Sequence, residues 1–501
     1  MKNELVVLPE PQLQFRFQQK LIAPHDGLSM FGPFDSDLPE HPASLSYAIV
    51  GTPEGLKAAA DFFGVMKNPI VNDPKDLNPR LWPTFPGYEA TFRSRFPDRP
   101  TIALELDSMA LVNASMQNDP HKRAATVVEQ YLAKIQTIAK SEKNVSVIVC
   151  VVPEIVHKNC RPQSIVKGGM GDRISNAEKR VRASGQTGLF KDYTPETYQF
   201  SVDFRRQIKG RAMEYNIPIQ IIRESTLRLM DSDVRDERGL TALSDRAWNL
   251  ATTMFYKAGG QPWKLASARD GVCYIGLVFR QTEPGSSSSS ACCAAQMFLD
   301  SGDGVVFRGQ DGRWYSPKEK SYHLSQAAAR DLLAGLLRTY NELGGQPLKE
   351  IFLHCHSSID ADEFKGFQSA CPEGVKIVGI RVRQERDGLR IFREGTLPVL
   401  RGSFLEVDSR TAYLWGTGYK PRIANYDGWE TPAPLRIDIQ QGDADIKQVA
   451  ADILALTKLN YNSCKMGEAE PVTIGFSDAV GEILVSNPTI KNPSPRFKMY
   501  I

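Results

Sequence analysis

The chain has 501 residues, 42% of them hydrophobic and 24% charged, with a formal net charge of +3. That length supports roughly two to four domains with cores of their own, and the composition excludes a disordered or fibrous chain. No run of about 20 apolar residues occurs, and the first ten residues are too few and too charged for a secretion signal, so we expect no membrane span and a cytoplasmic location. The eight cysteines are scattered without a Cys-x-x-Cys pair, which agrees with reduced thiols.

The first forty residues, rich in Pro and Phe, read as an irregular arm. Residues 47–51 (Tyr-Ala-Ile-Val-Gly) read as a short buried strand, 54–66 as a helix, 81–86 as a loop and 101–106 as a second strand. Residues 122–140 carry Val127, Val128, Tyr131, Leu132, Ile135 and Ile138 at helical spacing. The valine-rich run 145–152 predicts a central parallel strand. Between Lys158 and Lys191 eight basic residues face two acidic ones, which reads either as a field able to attract a phosphate backbone or as a solvated surface loop. A helix over 197–215, a strand over 217–222 and a helix over 242–257 complete an α/β unit.

A second unit opens at 271–279, a strand that leads through five serines (Ser286 to Ser290) to strands at 291–299 and 305–307. A helix (324–343), a strand (350–354), a helix (360–369) and a strand (375–383) follow. Two β segments lie within 389–415, and a helix spans 445–459. An antiparallel meander followed by helix–strand alternation is the order of an RNase H-like fold. His354-Cys355-His356 resembles a metal triplet, but strand neighbours point to opposite faces and cannot converge on one ion.

Four polar residues stand out. Arg205 and Lys209 are four apart and share a helix face. Gln220 lies on the next strand with an amide able to donate a hydrogen bond. Lys257 precedes Gly259-Gly260 at a helix end. The set reads either as a phosphate cage or, for Lys257, as a helix C-terminus capped by Gly259. The cluster Gly168-Gly169-Met170-Gly171 reads as a loop, and Trp415 with Tyr419 either as core residues or as rings that stack on bases.

Arg205-x-x-x-Lys209, Gln220 and Lys257-Ala-Gly-Gly together resemble the guide-binding motif of Argonaute MID domains. Gly32-Pro33-Phe34-Asp35, Phe85-Pro86-Gly87, Ile222-Arg223-Glu224-Ser225-Thr226, residues 291–298, 456–462 and 471–474 fit the short prokaryotic Argonautes over essentially the whole chain. Arg205 departs from the Tyr or His more usual there. The resemblance implies a Rossmann-like MID domain over 1–265, including the arm, and an RNase H-like PIWI domain over 266–501. It implies that Arg205, Lys209, Gln220 and Lys257 hold the 5′-phosphate of a small guide RNA, and that the C-terminal carboxylate of Ile501 helps hold Mg²⁺ there.

Slicing relatives carry aspartates where this chain has Val278 and, after strand 350–354, Cys355 and His356. Asp478 resembles the last catalytic carboxylate, or reads as a helix-start residue, and alone it cannot bind two metals. The resemblance therefore implies a non-slicing sensor of single-stranded DNA. It further implies a heterodimer with an APAZ-domain effector, closest to the TIR-APAZ NADases that oligomerise on target recognition and cause abortive infection. A sirtuin-like or nuclease effector, or a guided nuclease with non-standard residues, are the alternatives.

Overall fold

Tyr47–Gly51, Ile102–Glu105, Val147–Val152 and Ile219–Arg223 form a four-stranded sheet in which every neighbouring pair is parallel and Tyr47–Gly51 lies second. The computed structural model describes residues 5–72, 79–170, 195–229, 241–281, 291–298, 304–316, 318, 320–386, 388–426, 428, 430–486 and 493–501. Val147–Val152 is buried at all six positions because both faces of the sheet are covered. Its side chains alternate between two cores. Ile148, Cys150 and Val152 meet Tyr131, Ile135 and Ile208 from helices Pro120–Ala139 and Phe204–Ala212. Val147, Val149 and Val151 share the other core with Phe62, Phe63 and Trp248 from helices Pro53–Met66 and Leu243–Lys257.

Local chemistry sets where these helices start. Thr52 Oγ1 accepts from the Gly55 amide at 3.0 Å and Asp119 Oδ1 from the His121 amide at 2.9 Å, each followed by Pro at the first helical position. The helix expected over 197–215 is shorter, Phe204–Ala212. Asp203 accepts from the Arg206 amide at 3.0 Å and so ends the preceding irregular segment.

The larger sheet has nine strands. Val272–Gln281, Ala291–Phe298 and Gly304–Gly312 form the expected antiparallel meander. Glu350–Cys355 then pairs parallel to Val272–Gln281, and Lys376–Gln384 parallel to Glu350–Cys355. Leu435–Gln441, a strand the sequence reading missed, follows antiparallel, then Thr411–Leu414 and Ser403–Glu406. Helices Gln326–Glu342 and Ala361–Ala370 cover one face, while Ile446–Leu456 and Ser477–Val485 cover the other.

The N-terminal arm is not irregular. Leu5–Val7 pairs with Ser403–Glu406 at the edge of the large sheet, and Leu13–Gln14 lies between Lys20–Leu21 and Lys264–Leu265. Segments of two or three residues are too short to show alternation and give no strand signal; Leu5–Val7 and one side of Leu13–Gln14 also pair with partners hundreds of residues away. The arm thus touches both units. One core also runs through both: Trp263 Nε1 donates to Lys458 O at 3.0 Å and Tyr461 Oη to Trp263 O at 2.6 Å.

Gly276 has a packing reason. A Cβ there would stand 2.1 Å from the Thr473 main-chain oxygen, where Val472–Gly475 crosses the strand. Backbone on backbone cannot be relieved by a rotamer change. Gly276→Ala is expected to destabilise the chain by about 1–3 kcal/mol. Urea denaturation checks this, and an unchanged midpoint would refute the close approach.

Candidate functional site

The helix Phe204–Ala212 carries Phe204, Ile208 and Ala212 into one core and turns Lys209 toward the last residues of the chain. Those residues are themselves interior: Phe497, Met499, Tyr500 and Ile501 are all buried, and Tyr500 Oη donates to Ser494 O at 2.8 Å.

The helix Leu243–Lys257 ends in a Schellman arrangement: Gly260 N donates to Phe255 O and Gly259 N to Tyr256 O, both at 3.0 Å, with Gly259 at φ +105°. A Cβ on Gly260 would stand 2.3 Å from the Phe255 ring. The Gly-Gly pair therefore serves the helix cap and the packing of Phe255, so the capping reading of Gly259 holds. Lys257, one residue before the cap, points inward.

Here the pieces converge. Lys257 Nζ donates to Ile219 O at 2.9 Å, to Gln220 Oε1 at 2.7 Å and to the Ile501 main-chain oxygen at 2.6 Å. Lys209 Nζ donates to the same Ile501 oxygen. Lys209 and Lys257 are 3% and 1% exposed, very low values for lysines. Gln220 takes a different role from the one expected: its oxygen accepts from Lys257 while Nε2 donates to Ile221 O at 3.3 Å. Arg205 stands one helical turn before Lys209 and is exposed. The structure thus brings Lys209, Gln220, Lys257 and Ile501 into contact and leaves Arg205 at the margin, near enough to act through its charge.

The electrostatics follow from this crowding. Burial, then repulsion from Lys257 and Arg205, pushes Lys209 well below the ordinary lysine range. Burial, then the charge of Arg205, pulls Lys257 down to about 7. Such a cluster takes up an anion readily, because a negative charge stabilises protonated lysines that burial and repulsion otherwise disfavour. It suits a bare divalent cation poorly, since two ammonium groups already address the Ile501 oxygen.

Sequence reasoning could not have found the Ile219 carbonyl, a backbone group with no residue-type signature. It also missed Glu482, whose carboxylate takes Arg206 Nε at 2.7 Å on one side and Arg280 Nη2 at 2.7 Å on the other, tying the helix of Lys209 to the second unit.

The second unit's strand ends hold no carboxylate at the three positions in question. Val278 is buried in the core, Cys355 is buried on the opposite face, and His356 Nδ1 lies 3.1 Å from Val382 O. His354 Nδ1 lies 2.9 Å from Thr473 Oγ1. His354-Cys355-His356 alternates across the sheet as expected. The Asp478 side chain lies outside the described residues, as do the serine run and Arg173, Lys179, Arg180, Arg182 and Lys191 of the basic stretch. Trp415 is fully buried and donates to Pro432 O at 3.3 Å, which makes it a core residue. Among the described residues no helix is long and apolar enough to cross a membrane.

Comparison with solved structures places this architecture in a class. The Argonaute of Clostridium butyricum, solved with a guide DNA and a 19-mer target DNA, matches with a TM-score of 0.62 at 16% identity, over 100% of this chain and 55% of that one. The Argonaute of A. aeolicus matches with a TM-score of 0.56 at 13% identity, over 100% and 56% of the two chains. The Aa-Ago structure with externally bound siRNA gives 0.55 at 13%, over 99% and 56%. No protein-family model and no curated protein matches the chain. The fold is thus Argonaute-like, a Rossmann-like MID domain followed by an RNase H-like PIWI domain. The chain spans little more than half the length of the Argonautes it resembles.

Proposed function

We propose that this chain is a guide-holding Argonaute-like sensor that does not cut its target. The observation that carries the reading is the buried pair Lys209 and Lys257, joined by Gln220 and Ile501 and flanked by Arg205. A terminal 5′-phosphate brings the negative charge that this cluster lacks, and charge-assisted hydrogen bonds from two ammonium groups would hold it. A small guide RNA anchored there leaves its bases to pair with single-stranded DNA, so base pairing reads the sequence and the protein holds the backbone. The Argonautes solved with guide and target DNA or with siRNA support a nucleic-acid ligand for this fold.

Mg²⁺ enters this reading only together with the guide. Guide phosphates would supply the negative charge that the lysine-rich pocket lacks, and the terminal carboxylate expected at Ile501 would be the protein's ligand to the ion.

The non-slicing reading rests on Val278, Cys355 and His356. Two-metal cleavage needs carboxylates that bridge two cations roughly 3.5–4 Å apart, and these side chains cannot bridge them. The effector reading rests on the sequence resemblance: a TIR-APAZ partner forms a heterodimer with the chain, is activated on target binding and depletes NAD, giving abortive infection. A sirtuin-like or nuclease APAZ effector is the alternative. Loss of NAD on adding guide and complementary DNA to the co-expressed pair tests it; constant NAD overturns it.

For the guide itself, 5′-phosphorylated RNA is expected to bind roughly 10²-fold more tightly than the same RNA with a 5′-hydroxyl. Bound complementary DNA is expected to stay intact with Mg²⁺ or Mn²⁺. Filter binding and denaturing gels read both. Equal affinities would sink the phosphate pocket, and cut DNA would instead favour a guided nuclease with non-standard residues.

A further inference from the structure

On the face of the large sheet that carries Cys355, away from Val278, three side chains meet that none of the foregoing uses. His323 ends the connection into helix Gln326–Glu342, and Asp360 and Glu363 begin helix Ala361–Ala370. His323 Nδ1 lies 3.7 Å from Asp360 Oδ2 and 3.9 Å from Glu363 Oε2, and one ligand atom from each residue falls within 4.8 Å of the others.

Each residue is oriented by a further contact. Asp360 Oδ1 caps the helix by accepting from the Glu363 amide at 2.7 Å, which leaves Oδ2 toward His323. Glu363 Oε1 accepts from the Leu324 amide at 3.3 Å. Its Oε2 faces His323 and has no hydrogen-bond partner among the described residues, although Glu363 is only 1% exposed. His323 Nε2 lies 2.7 Å from Ser321 Oγ. With Nε2 donating to that hydroxyl, Nδ1 presents its lone pair to the two carboxyl groups, the arrangement that outer-shell partners impose on metal-binding histidines.

A buried carboxylate oxygen without a partner is unfavourable unless a proton or a cation neutralises it. We propose that His323, Asp360 and Glu363 bind one divalent ion of the kind that takes imidazole and carboxylate ligands, Mn²⁺ or Zn²⁺. Asp360, with half of its side chain exposed, provides the entry path. The bound ion would pin the segment ahead of helix Gln326–Glu342 to the start of helix Ala361–Ala370. The site's three residues are none of those of the guide pocket, and none of Val278, Cys355 and His356.

The test uses the full chain, free of nucleic acid and stripped with chelator, titrated with MnCl₂ while free Mn²⁺ is followed by electron paramagnetic resonance. One tightly held Mn²⁺ per chain is expected. Glu363→Gln and His323→Asn are each expected to weaken it at least about ten-fold. Asp362→Asn, an exposed acid on the same helix turn, should leave it unchanged. Absence of a bound equivalent, or wild-type affinity in both ligand variants, overturns the proposal. Circular dichroism establishes that each variant is folded. Should the buried Glu363→Gln unfold the chain, the more accessible His323→Asn alone decides.

Discussion

A chain with Lys209→Met and Lys257→Met is expected to lose 5′-phosphorylated guide RNA by at least about 10²-fold, because each ammonium hydrogen bond to a phosphate contributes roughly 1.5–3 kcal/mol. Methionine keeps most of the buried volume while removing the charge and the hydrogen bonds of Nζ to Ile219 O, Gln220 Oε1 and Ile501 O. Affinity for 5′-hydroxyl RNA should change little. A merely structural role would lower both affinities together, and that outcome refutes the pocket.

The pH dependence follows with a definite sign. Free Lys257 titrates at about 7, and Lys209 is pushed in the same direction. A bound phosphate favours the charged forms, so binding takes up protons at any pH above the free values. Guide affinity therefore falls as pH rises from 7 to 9, by up to about ten-fold per pH unit for each linked proton. In the double methionine variant this slope disappears. For the empty protein the sign is reversed. The folded state holds fewer protons on Lys257 than the unfolded chain between about 7 and the ordinary lysine value, so this group's contribution to stability rises with pH across that window.

The second large effect concerns the arm. Arg401 is fully buried, and its Nε reaches Glu10 Oε2 at 3.0 Å; Lys458 Nζ reaches Glu10 Oε1 at 2.7 Å, Ile22 O at 2.8 Å and Pro11 O at 2.5 Å. Arg401 also donates to Thr457 Oγ1 at 2.6 Å and to the main-chain oxygens of Gly416 and Glu468. Arg401→Met leaves Glu10 short of one cation and three acceptors unmet. We expect a loss of about 3–5 kcal/mol, the range for breaking a buried pair from one side. Urea denaturation measures it, and a loss below about 1 kcal/mol would show that the arm is held by its strands alone. Hydrogen exchange at Leu5–Val7 should rise with it.

Glu10 adds an acid limb to that prediction. Burial raises its carboxyl, but Arg401 and Lys458 overcome burial and hold it below the ordinary glutamate value. Its contribution to stability is therefore present above that ordinary value and lost as pH falls through the depressed one. In Arg401→Met the depression shrinks, and this contribution is lost at higher pH.

Parts of this protein are written locally and parts are not. Val147–Val152 announces itself because a run of β-branched residues suits a strand covered on both faces. The meander and the helices that follow it were legible from period and turn residues. Leu435–Gln441, which lies between Thr411–Leu414 and Lys376–Gln384, and the two-residue strands of the arm were not, since the former is fixed by its neighbours in the sheet and the latter are too short to show a period.

The candidate site divides along the same line. Arg205, Lys209, Gln220 and Lys257 were visible as residue types at helical and strand positions, and Gly259 as a cap. Their meeting was not visible. Nor was the direction of the Gln220 amide, the margin position of Arg205 or the burial that depresses both lysines. The sequence by itself determined the α/β alternation and the residue types at every position, Val278 and His356 included, because alternation depends on nearby residues along the chain. Only the tertiary structure decided that Lys209 and Lys257, 48 positions apart, share the Ile501 oxygen, and that His323 faces Glu363. Burial and charge coupling arise from packing among distant segments, which no local pattern encodes.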